Sequence, residues 1–406
     1  MSRAAARPLP QKECLKCRSR RCNGIVTANV EPAAPALRLV FAGGGTGGHL
    51  YPAIALAEAF AQRAAPVQTL FIGTQRGLEA RVLPGLGYRL ELVPVRGLLR
   101  KFAWSNFMVP VHLARSVWQC RRLFRAFQPH LVIGTGGYVS GPALLAARLA
   151  GRKYVIQEQN SFPGLANRVF GNHADAVFLS FEESRKYFRK QHHVHVVGNP
   201  VRSNLQARTP EMRQQAAQKW RLHADKTTLF VFGGSQGARR INEAMVELLP
   251  RLAQLPGLQV LWVTGPSHFE RIAALTQQQA VRAVPYIDDM NLAYALADFV
   301  LCRAGATTIF ELMLCGLPSI LIPFPFATAD HQTFNARALE YAGAAIVVLE
   351  KDLRAEVLFD MINTLARDTH ARRKMAKAAH KHARPNAAAE IVEVCMNLIE
   401  QKTKDV

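Results

Sequence analysis

Short apolar runs alternate with longer amphipathic stretches along most of the 406 residues. Leu37–Phe41 (LRLVF), Val67–Ile72, Tyr88–Val93, Leu131–Gly134, Lys153–Gln157, Ala176–Ser180 and His195–Val197 have the length and side-chain type of buried strands. Between them Ala53–Phe60 predicts a helix, and Trp104–Phe127 a long basic, aromatic-rich one with a break at Pro110. After a helical Thr209–Trp220 the pattern restarts. Strands are expected at Thr228–Phe232, Val260–Thr264, Val284–Tyr286, Phe299–Cys302, Ser319–Ile322 and Ala344–Val348, with helices from Ala238 and over Thr307–Cys315. Such α/β alternation predicts a doubly wound parallel sheet, here twice over: two Rossmann-like halves facing a cleft. Ligands of such sheets lie beyond the carboxyl ends of the strands. The expected divisions are a basic extension (1–36), a first half (37–198), a second half (199–386) and a C-terminal helix or tail (387–406).

Composition adds an asymmetry. Apolar residues make up 49% of the chain, enough for a large core over two or three domains. The net charge of +22 is unevenly spread: residues 1–200 carry 27 Lys and Arg against 9 Asp and Glu, residues 201–406 carry 24 against 20. From Leu92 to Gln157 there are 10 basic residues and no acidic one. A basic half beside a nearly neutral half implies an anionic partner on one side, nucleic acid or an anionic membrane surface. Leu98–Arg125 sets Leu98, Leu99, Phe102, Trp104, Phe107 and Met108 among Arg96, Arg100, Lys101, Arg115, Arg121, Arg122 and Arg125, a mixture suited to shallow insertion in a bilayer. Membrane contact is therefore expected through Leu98, Leu99, Arg100, Lys101, Phe102, Trp104 and Phe107, whereas Trp118 is expected in the core. The basic Arg367–Arg384 reads as a solvated helical surface, and no nucleic-acid partner is expected.

Cys120, Cys302, Cys315 and Cys395 lie in apolar segments and suit a reducing compartment. Cys14, Cys17 and Cys22 are spaced C-x2-C-x4-C with no fourth ligand at a usual zinc spacing, in a stretch best read as an extension without fixed structure. Leu312–Ala329 is uncharged but interrupted by Gly316, Pro318, Pro323 and Pro325, so no transmembrane helix is expected.

The chemistry-bearing stretches sit at strand ends. Phe41–Pro52 (FAGGGTGGHLYP) is a glycine-rich turn between strand and helix, a geometry that presents N–H groups to an anion. His49 stands where turn becomes helix and can exchange protons near neutral pH. The stretch contains a formal G-x-G-x-x-G, but a nicotinamide site wants an acidic residue at the end of the second strand. That strand ends Gly73-Thr74-Gln75, without a carboxylate for a ribose. Thr135–Pro142 (TGGYVSGP) and Gly233–Gly237 (GGSQG) are further glycine turns. In Arg303–Pro318 (RAGATTIFELMLCGLP) Thr307 and Thr308 can cap a helix start, and Glu311, one turn on, can accept two hydrogen bonds from a ribose diol. Asp330, His331, Gln332 and Asn335 bunch after a proline-rich strand end and suit sugar hydroxyls. With no H-E-x-x-H, P-loop or D-x-D sequence, metal-independent chemistry without a cofactor is expected.

Together, GGGTGGHLYPAIALA, GTGGYVSGPALLAA, EQNSFPGLAN, GNPVR, FGGSQGARRIN, YIDDM, RAGATTIFELMLCGLP and DHQTFNA resemble the MurG family, the N-acetylglucosaminyltransferases that complete lipid II in bacterial peptidoglycan synthesis. The resemblance implies a GT-B fold and an inverting transfer of N-acetylglucosamine from UDP-N-acetylglucosamine to the muramoyl 4-hydroxyl of undecaprenyl-linked lipid I. It implies a peripheral place on the cytoplasmic face of the inner membrane, with other cell-wall synthesis and division proteins as candidate partners. Carried over by position, Glu311 would hold the ribose and Ile287 the uracil. Arg202, Ser235, Ala306, Thr307 and Thr308 would meet the diphosphate, and His331 and Gln332 the sugar. Thr46, Gly47, Gly48 and Asn160 are further donor-side candidates, Asn160 also bordering the acceptor. Gly44, Gly45, Tyr138, Ser140 and Gly141 fall on the acceptor's diphosphate and lipid side, and His49 is the candidate general base. A sugar-nucleotide epimerase, a glycolipid synthase acting on diacylglycerol and a non-catalytic membrane partner are the competing readings.

Overall fold

The computed structural model describes residues 36–404 except 65, 96–108, 203–204, 206–207, 235–236, 278–279 and 328–329. The N-terminal cysteines, the stretch Leu98–Phe107 expected to contact a membrane and Ser235 thus lie outside the described residues.

The first half runs β1 (Leu37–Gly43), α1 (Gly47–Arg63), β2 (Val67–Gly73), α2 (Glu79–Val82), β3 (Arg89–Leu92), α3 (Val109–Phe127), β4 (Leu131–Gly136), α4 (Ser140–Leu149), β5 (Tyr154–Glu158), α5 (Leu165–Gly171), β6 (Ala176–Leu179) and β7 (Val194–Val196). Its strands form one parallel sheet in the order β3-β2-β1-β4-β5-β6-β7. The second half runs α6 (Pro210–Trp220), β8 (Thr227–Phe232), α7 (Arg239–Leu252), β9 (Leu258–Val263), α8 (Pro266–Thr276), β10 (Val281–Val284), α9 (Met290–Leu296), β11 (Phe299–Cys302), α10 (Ala306–Cys315), β12 (Ser319–Leu321), α11 (His331–Tyr341) and β13 (Ala345–Val347). Its parallel sheet has the order β10-β9-β8-β11-β12-β13. Helices α12 (Ala355–Arg367), α13 (Thr369–Lys381) and α14 (Ala387–Lys404) complete the chain.

Strand alternation decides which helices each face receives. Leu39 and Phe41 of β1 face Leu50, Ile54 and Phe60 of α1, while Val40 and Ala42 face the layer holding Val117, Cys120 and Phe124 of α3 and Leu144 of α4. In the second sheet Leu229 and Val231 pack towards α7 and α12, and Phe230 and Phe232 towards α6, α9 and α10. The C-terminal helix α14 does not stay with the second half. Ile391, Val392 and Cys395 are buried against α1 and the first sheet, so the chain ends on the half in which its first strand lies.

Each sheet reverses its winding once, between β1 and β4 and between β8 and β11. These are the crevices in which open α/β sheets take ligands. The glycine turns after β1 and β4 line the first; the turn after β8 and the β11–α10 turn line the second.

Three expectations are corrected here. The short strand of the second sheet is Val281–Val284, not Val284–Tyr286, because Pro285 has no N–H for the ladder and ends it. Trp118 is not a core residue: it is 65% exposed, one position off the buried stripe of Val117, Cys120 and Phe124. It stands beside Arg122 on a surface that also carries exposed Val111 and Leu113. Pro110 lies in the first turn of α3, where its missing N–H is harmless, rather than breaking the helix. The four cysteines at 120, 302, 315 and 395 are buried and free, as expected.

Candidate functional site

On the second half the site grows from the start of α10. Gly305, extended at φ −65° and ψ 140°, is its N-cap, and no side chain caps the helix. Thr307 and Thr308 therefore do not cap their own helix, as the sequence suggested; they follow the cap, and the Thr307 hydroxyl is buried with no hydrogen-bond partner among the described residues. One turn on and on the same helix face, Glu311 is 3% exposed. Its Oε2 accepts from the Tyr294 hydroxyl at 2.8 Å, while Oε1 accepts no hydrogen bond from a described residue. Arg202 Nε lies 3.7 Å from Oε1 and is likewise unpaired in hydrogen bonding, so the contact is ionic but unclosed. Burial pushes the Glu311 carboxyl above the ordinary range, outweighing the opposing pull of Arg202 and of the Tyr294 hydroxyl. The Tyr294 hydroxyl is pushed up too, by burial first and the neighbouring Glu311 second.

Three buried, unmatched polar atoms, on Thr307, Glu311 and Arg202, thus meet at one helix N-terminus. Leaving one such group unpaired costs roughly 1–3 kcal/mol, so a cluster of them marks a place where a polar ligand supplies the missing partners. Ile287, buried on the turn between β10 and α9, belongs to the same side. Its neighbour Tyr286 is hydrogen-bonded to Tyr51 of α1, and burial, with Tyr51 beside it, pushes the phenol up to about 12. Arg202 lies 4.0 Å from the centroid of the Tyr51 ring, so the connector between the halves, α1 and α10 converge on one point. Gln332 and His331 open α11; Gln332 Oε1 accepts from the Phe324 N–H at 3.0 Å and shapes the loop after β12.

Opposite stands the first crevice. Of the five glycines from the last residue of β1 to the start of α1 only Gly45 has a positive φ, 85°. The turn is held from behind by a carboxylate that the sequence reading missed. Glu79, fully buried at the start of α2, accepts from Gly45 N (2.8 Å), Thr74 N (2.8 Å) and Thr74 Oγ1 (2.9 Å). The end of β2 does have an acidic residue within reach, then, but it clamps the glycine turn. With the Gly45 N–H so engaged, the donors this turn can offer a ligand include those at the start of α1, Gly47 and Gly48. Thr46 is the exposed N-cap of α1 and makes no side-chain cap bond.

His49, half-buried in the first turn of α1, sets Nδ1 3.1 Å from the Thr135 carbonyl and 2.9 Å from Gln159 Oε1. Gly136 and Gly137, at φ 102° and 81°, admit this contact: a Cβ on Gly136 would lie 2.7 Å from Nδ1, and one on Gly137 2.4 Å from the Gly44 carbonyl. Tyr138 is 66% exposed at the same turn, and Ser140 opens α4 with its hydroxyl buried and unpaired among the described residues, beside Gly141. Asn160 sits on a loop gathered by Glu158, whose oxygens accept from Asn160 N, Gly164 N and Asn167 Nδ2. That loop meets the second half directly. Ser161 N and Oγ donate to Asn335 Oδ1 at 3.2 and 3.0 Å, and Asn335 Nδ2 lies 3.5 Å from Asn160 Oδ1.

The expected residues therefore fall into a group around Thr307, Glu311 and Arg202 and a group around His49 and the two glycine turns, joined by Tyr51, Asn160 and Asn335. Sequence reasoning overlooked Tyr51, Glu79, Gln159 and Tyr294 as site residues. Tyr51 and Gln159 lie inside the quoted glycine and EQN motifs, beside His49 and Asn160, whereas Glu79 stands a few residues beyond the end of β2 and outside every motif. Tyr294, on an apolar helix of another unit, carried no signal at all.

Two family models match the chain, one in each half. The "Glycosyltransferase family 28 N-terminal domain" matches residues 39–179, and the "Glycosyltransferase family 28 C-terminal domain" residues 228–391. The UDP-N-acetylglucosamine--N-acetylmuramyl-(pentapeptide) pyrophosphoryl-undecaprenol N-acetylglucosamine transferase of Chlorobaculum tepidum is 44% identical over 362 residues, covering 88% of this chain and 98% of that one. The enzyme of the same name from Syntrophotalea carbinolica is 43% identical over 371 residues, 90% and 100% of the two chains. The crystal structure of Acinetobacter baumannii MurG superposes with a TM-score of 0.70 at 29% identity, over 89% of this chain and 99% of that one. A UDP-GlcNAc 2-epimerase from Neisseria meningitidis, bound to UDP-GlcNAc, shares the fold with a TM-score of 0.62 at 13% identity, over 89% of this chain and all of the other.

Proposed function

This chain belongs to glycosyltransferase family 28 and, within it, to the MurG family, and from that premise we propose how its site works. It transfers N-acetylglucosamine from UDP-N-acetylglucosamine to the muramyl sugar of lipid I, forming lipid II. The observation that carries the assignment of the donor side is the cluster of unmatched polar atoms on Thr307, Glu311 and Arg202. The ribose diol of UDP donates to Glu311, and the α10 N–H groups, the Thr307 hydroxyl and Arg202 meet the diphosphate. Ile287 frames the uracil; His331 and Gln332 border the sugar.

The acceptor approaches from the first half, past Tyr138, Ser140 and Gly141 and the start of α1. One in-line displacement then suffices. His49 takes the proton of the muramoyl 4-hydroxyl as its oxygen bonds to the anomeric carbon, and the bond from that carbon to the diphosphate breaks with inversion. The charge that develops on departing UDP falls on Arg202 and the N-terminal end of α10, already oriented before the reaction. General-base catalysis typically contributes about a hundred- to ten-thousandfold, and His49→Ala is expected to lower kcat by that order.

Among the described residues no helix is long and apolar enough to cross a membrane. Exposed Val111, Leu113 and Trp118 with Arg115, Arg122 and Arg125 on α3 support a peripheral docking face for the anionic inner membrane, continuing the basic, aromatic stretch that precedes the helix.

The test is transfer of label from UDP-N-acetylglucosamine to a short-chain lipid I analogue by the purified protein, without divalent metal. Lipid labelling that Glu311→Ala abolishes is the expected result. Isomerisation of the nucleotide sugar without lipid would support the epimerase reading instead.

A further inference from the structure

Gln159, on the loop after β5, is 1% exposed. Its amide nitrogen donates to the Thr135 carbonyl at 2.7 Å, to the Gln157 carbonyl at 3.2 Å and to Gln157 Oε1. Backbone carbonyls only accept, so the first two contacts decide which end of this amide is nitrogen. The oxygen is thereby turned to His49 Nδ1 at 2.9 Å, where the Thr135 carbonyl also points at 3.1 Å. Two acceptors on one ring nitrogen require that nitrogen to carry hydrogen. In a neutral imidazole the lone pair then belongs to Nε2.

The chain of amides continues away from the ring. Gln157 Nε2 donates to Asn199 Oδ1 at 3.0 Å, in the segment that leads from β7 to Arg202. Each amide presents oxygen one way and nitrogen the other, so reversing any member would set like against like in a buried network. A neutral amide at this place also orients the ring without the ion pair that a carboxylate would form with an imidazolium.

We infer that Gln159 is a positioning residue for the transfer reaction: its amide, aligned by the Thr135 and Gln157 carbonyls, holds His49 as the Nδ1–H tautomer with Nε2 open to the acceptor's proton. The inference rests on the reading of His49 as the base. The experiment is nitrogen NMR of the full chain with 15N-histidine, the His49 signals being identified by their absence in His49→Asn. The neutral wild-type ring should show a protonated Nδ1 and an unprotonated Nε2; the opposite tautomer would overturn the proposal without any further variant. Gln159→Met, close in size, should give a mixture of tautomers. Its kcat should fall roughly ten- to a hundredfold, by analogy with the loss of partners that orient metal-bound histidines, with KM for UDP-N-acetylglucosamine unchanged. A wild-type tautomer in Gln159→Met would show that the amide does not hold the ring. A changed tautomer with unchanged kcat would instead show that Gln159 orients His49 but that His49 is not the base.

Discussion

Glu311 shows how a single residue can weaken the fold for the benefit of the site. Burial raises its carboxyl above the ordinary 4.5, so the folded chain holds that proton to higher pH than the unfolded chain does. Stability from this group is greatest below 4.5 and is lost as pH rises through the raised value, leaving the neutral-pH protein with a disfavoured anion. Glu311→Gln should therefore melt no lower than the wild type at pH 7.5, yet lose the rise in Tm that UDP gives the wild type. Donor binding works the other way, since two ribose hydroxyls favour the ionised form. Calorimetry in buffers of different ionisation enthalpy should show proton release on UDP binding just above the ordinary carboxyl range, absent in Glu311→Gln. Thr307→Val isolates the hydroxyl. Removing a buried donor that has no partner among the described residues should leave Tm unchanged or higher, while UDP binds about five- to tenfold more weakly, the worth of one hydrogen bond of about 1–1.4 kcal/mol. Glu311 was legible in the sequence because it sits inside a motif at helix spacing. Glu79 was not, because its target, the Gly45 N–H, is 34 residues away along the chain.

At the scale of elements, the apolar periodicity identified nearly every strand, since burial on both faces of a parallel sheet demands continuous apolar runs. It could not say which strands pair, and the crevices exist only where β1 meets β4 and β8 meets β11. Trp118 marks the same limit: a helical stripe one residue to the side would bury it, and only packing against β4 and α4 selects Val117, Cys120 and Phe124. The contact between loop 160–161 and α11 was equally hidden, since Asn335 looked like a sugar ligand in a polar cluster. Its side chain is fully buried and bonded to Ser161. Asn335→Ala should cost about 1–3 kcal/mol through the unpaired Ser161 groups, read as a lower denaturation midpoint with an unchanged m-value.

At the scale of the whole molecule, the charge asymmetry and the return of α14 are the dominant features. Binding to vesicles containing anionic lipid should weaken steeply between 50 and 500 mM salt, conditions over which the Debye length falls severalfold. Charge reversal of Arg115, Arg122 and Arg125 should have the same effect at low salt. A C-terminal helix or tail was expected, but sequence alone does not name the surface such a helix covers. Ile391, Val392 and Cys395 are all but fully buried, and the two aliphatic side chains alone are worth about 1.5–3 kcal/mol each. Against a typical total stability of roughly 5–15 kcal/mol, ending the chain at residue 386 should leave the first half poorly folded, with its amide exchange fast, and not merely shortened.

The return of α14 also separates the order of synthesis from the order of folding. A ribosome completes β1 to β7 early, yet the surface of α1 stays uncovered until some 200 further residues have been made, on the order of 10–40 s at ordinary elongation speed. During that interval the nascent first half exposes an apolar face, beside a basic surface suited to a lipid bilayer. Helix α14, made after both sheets, is the one that closes it.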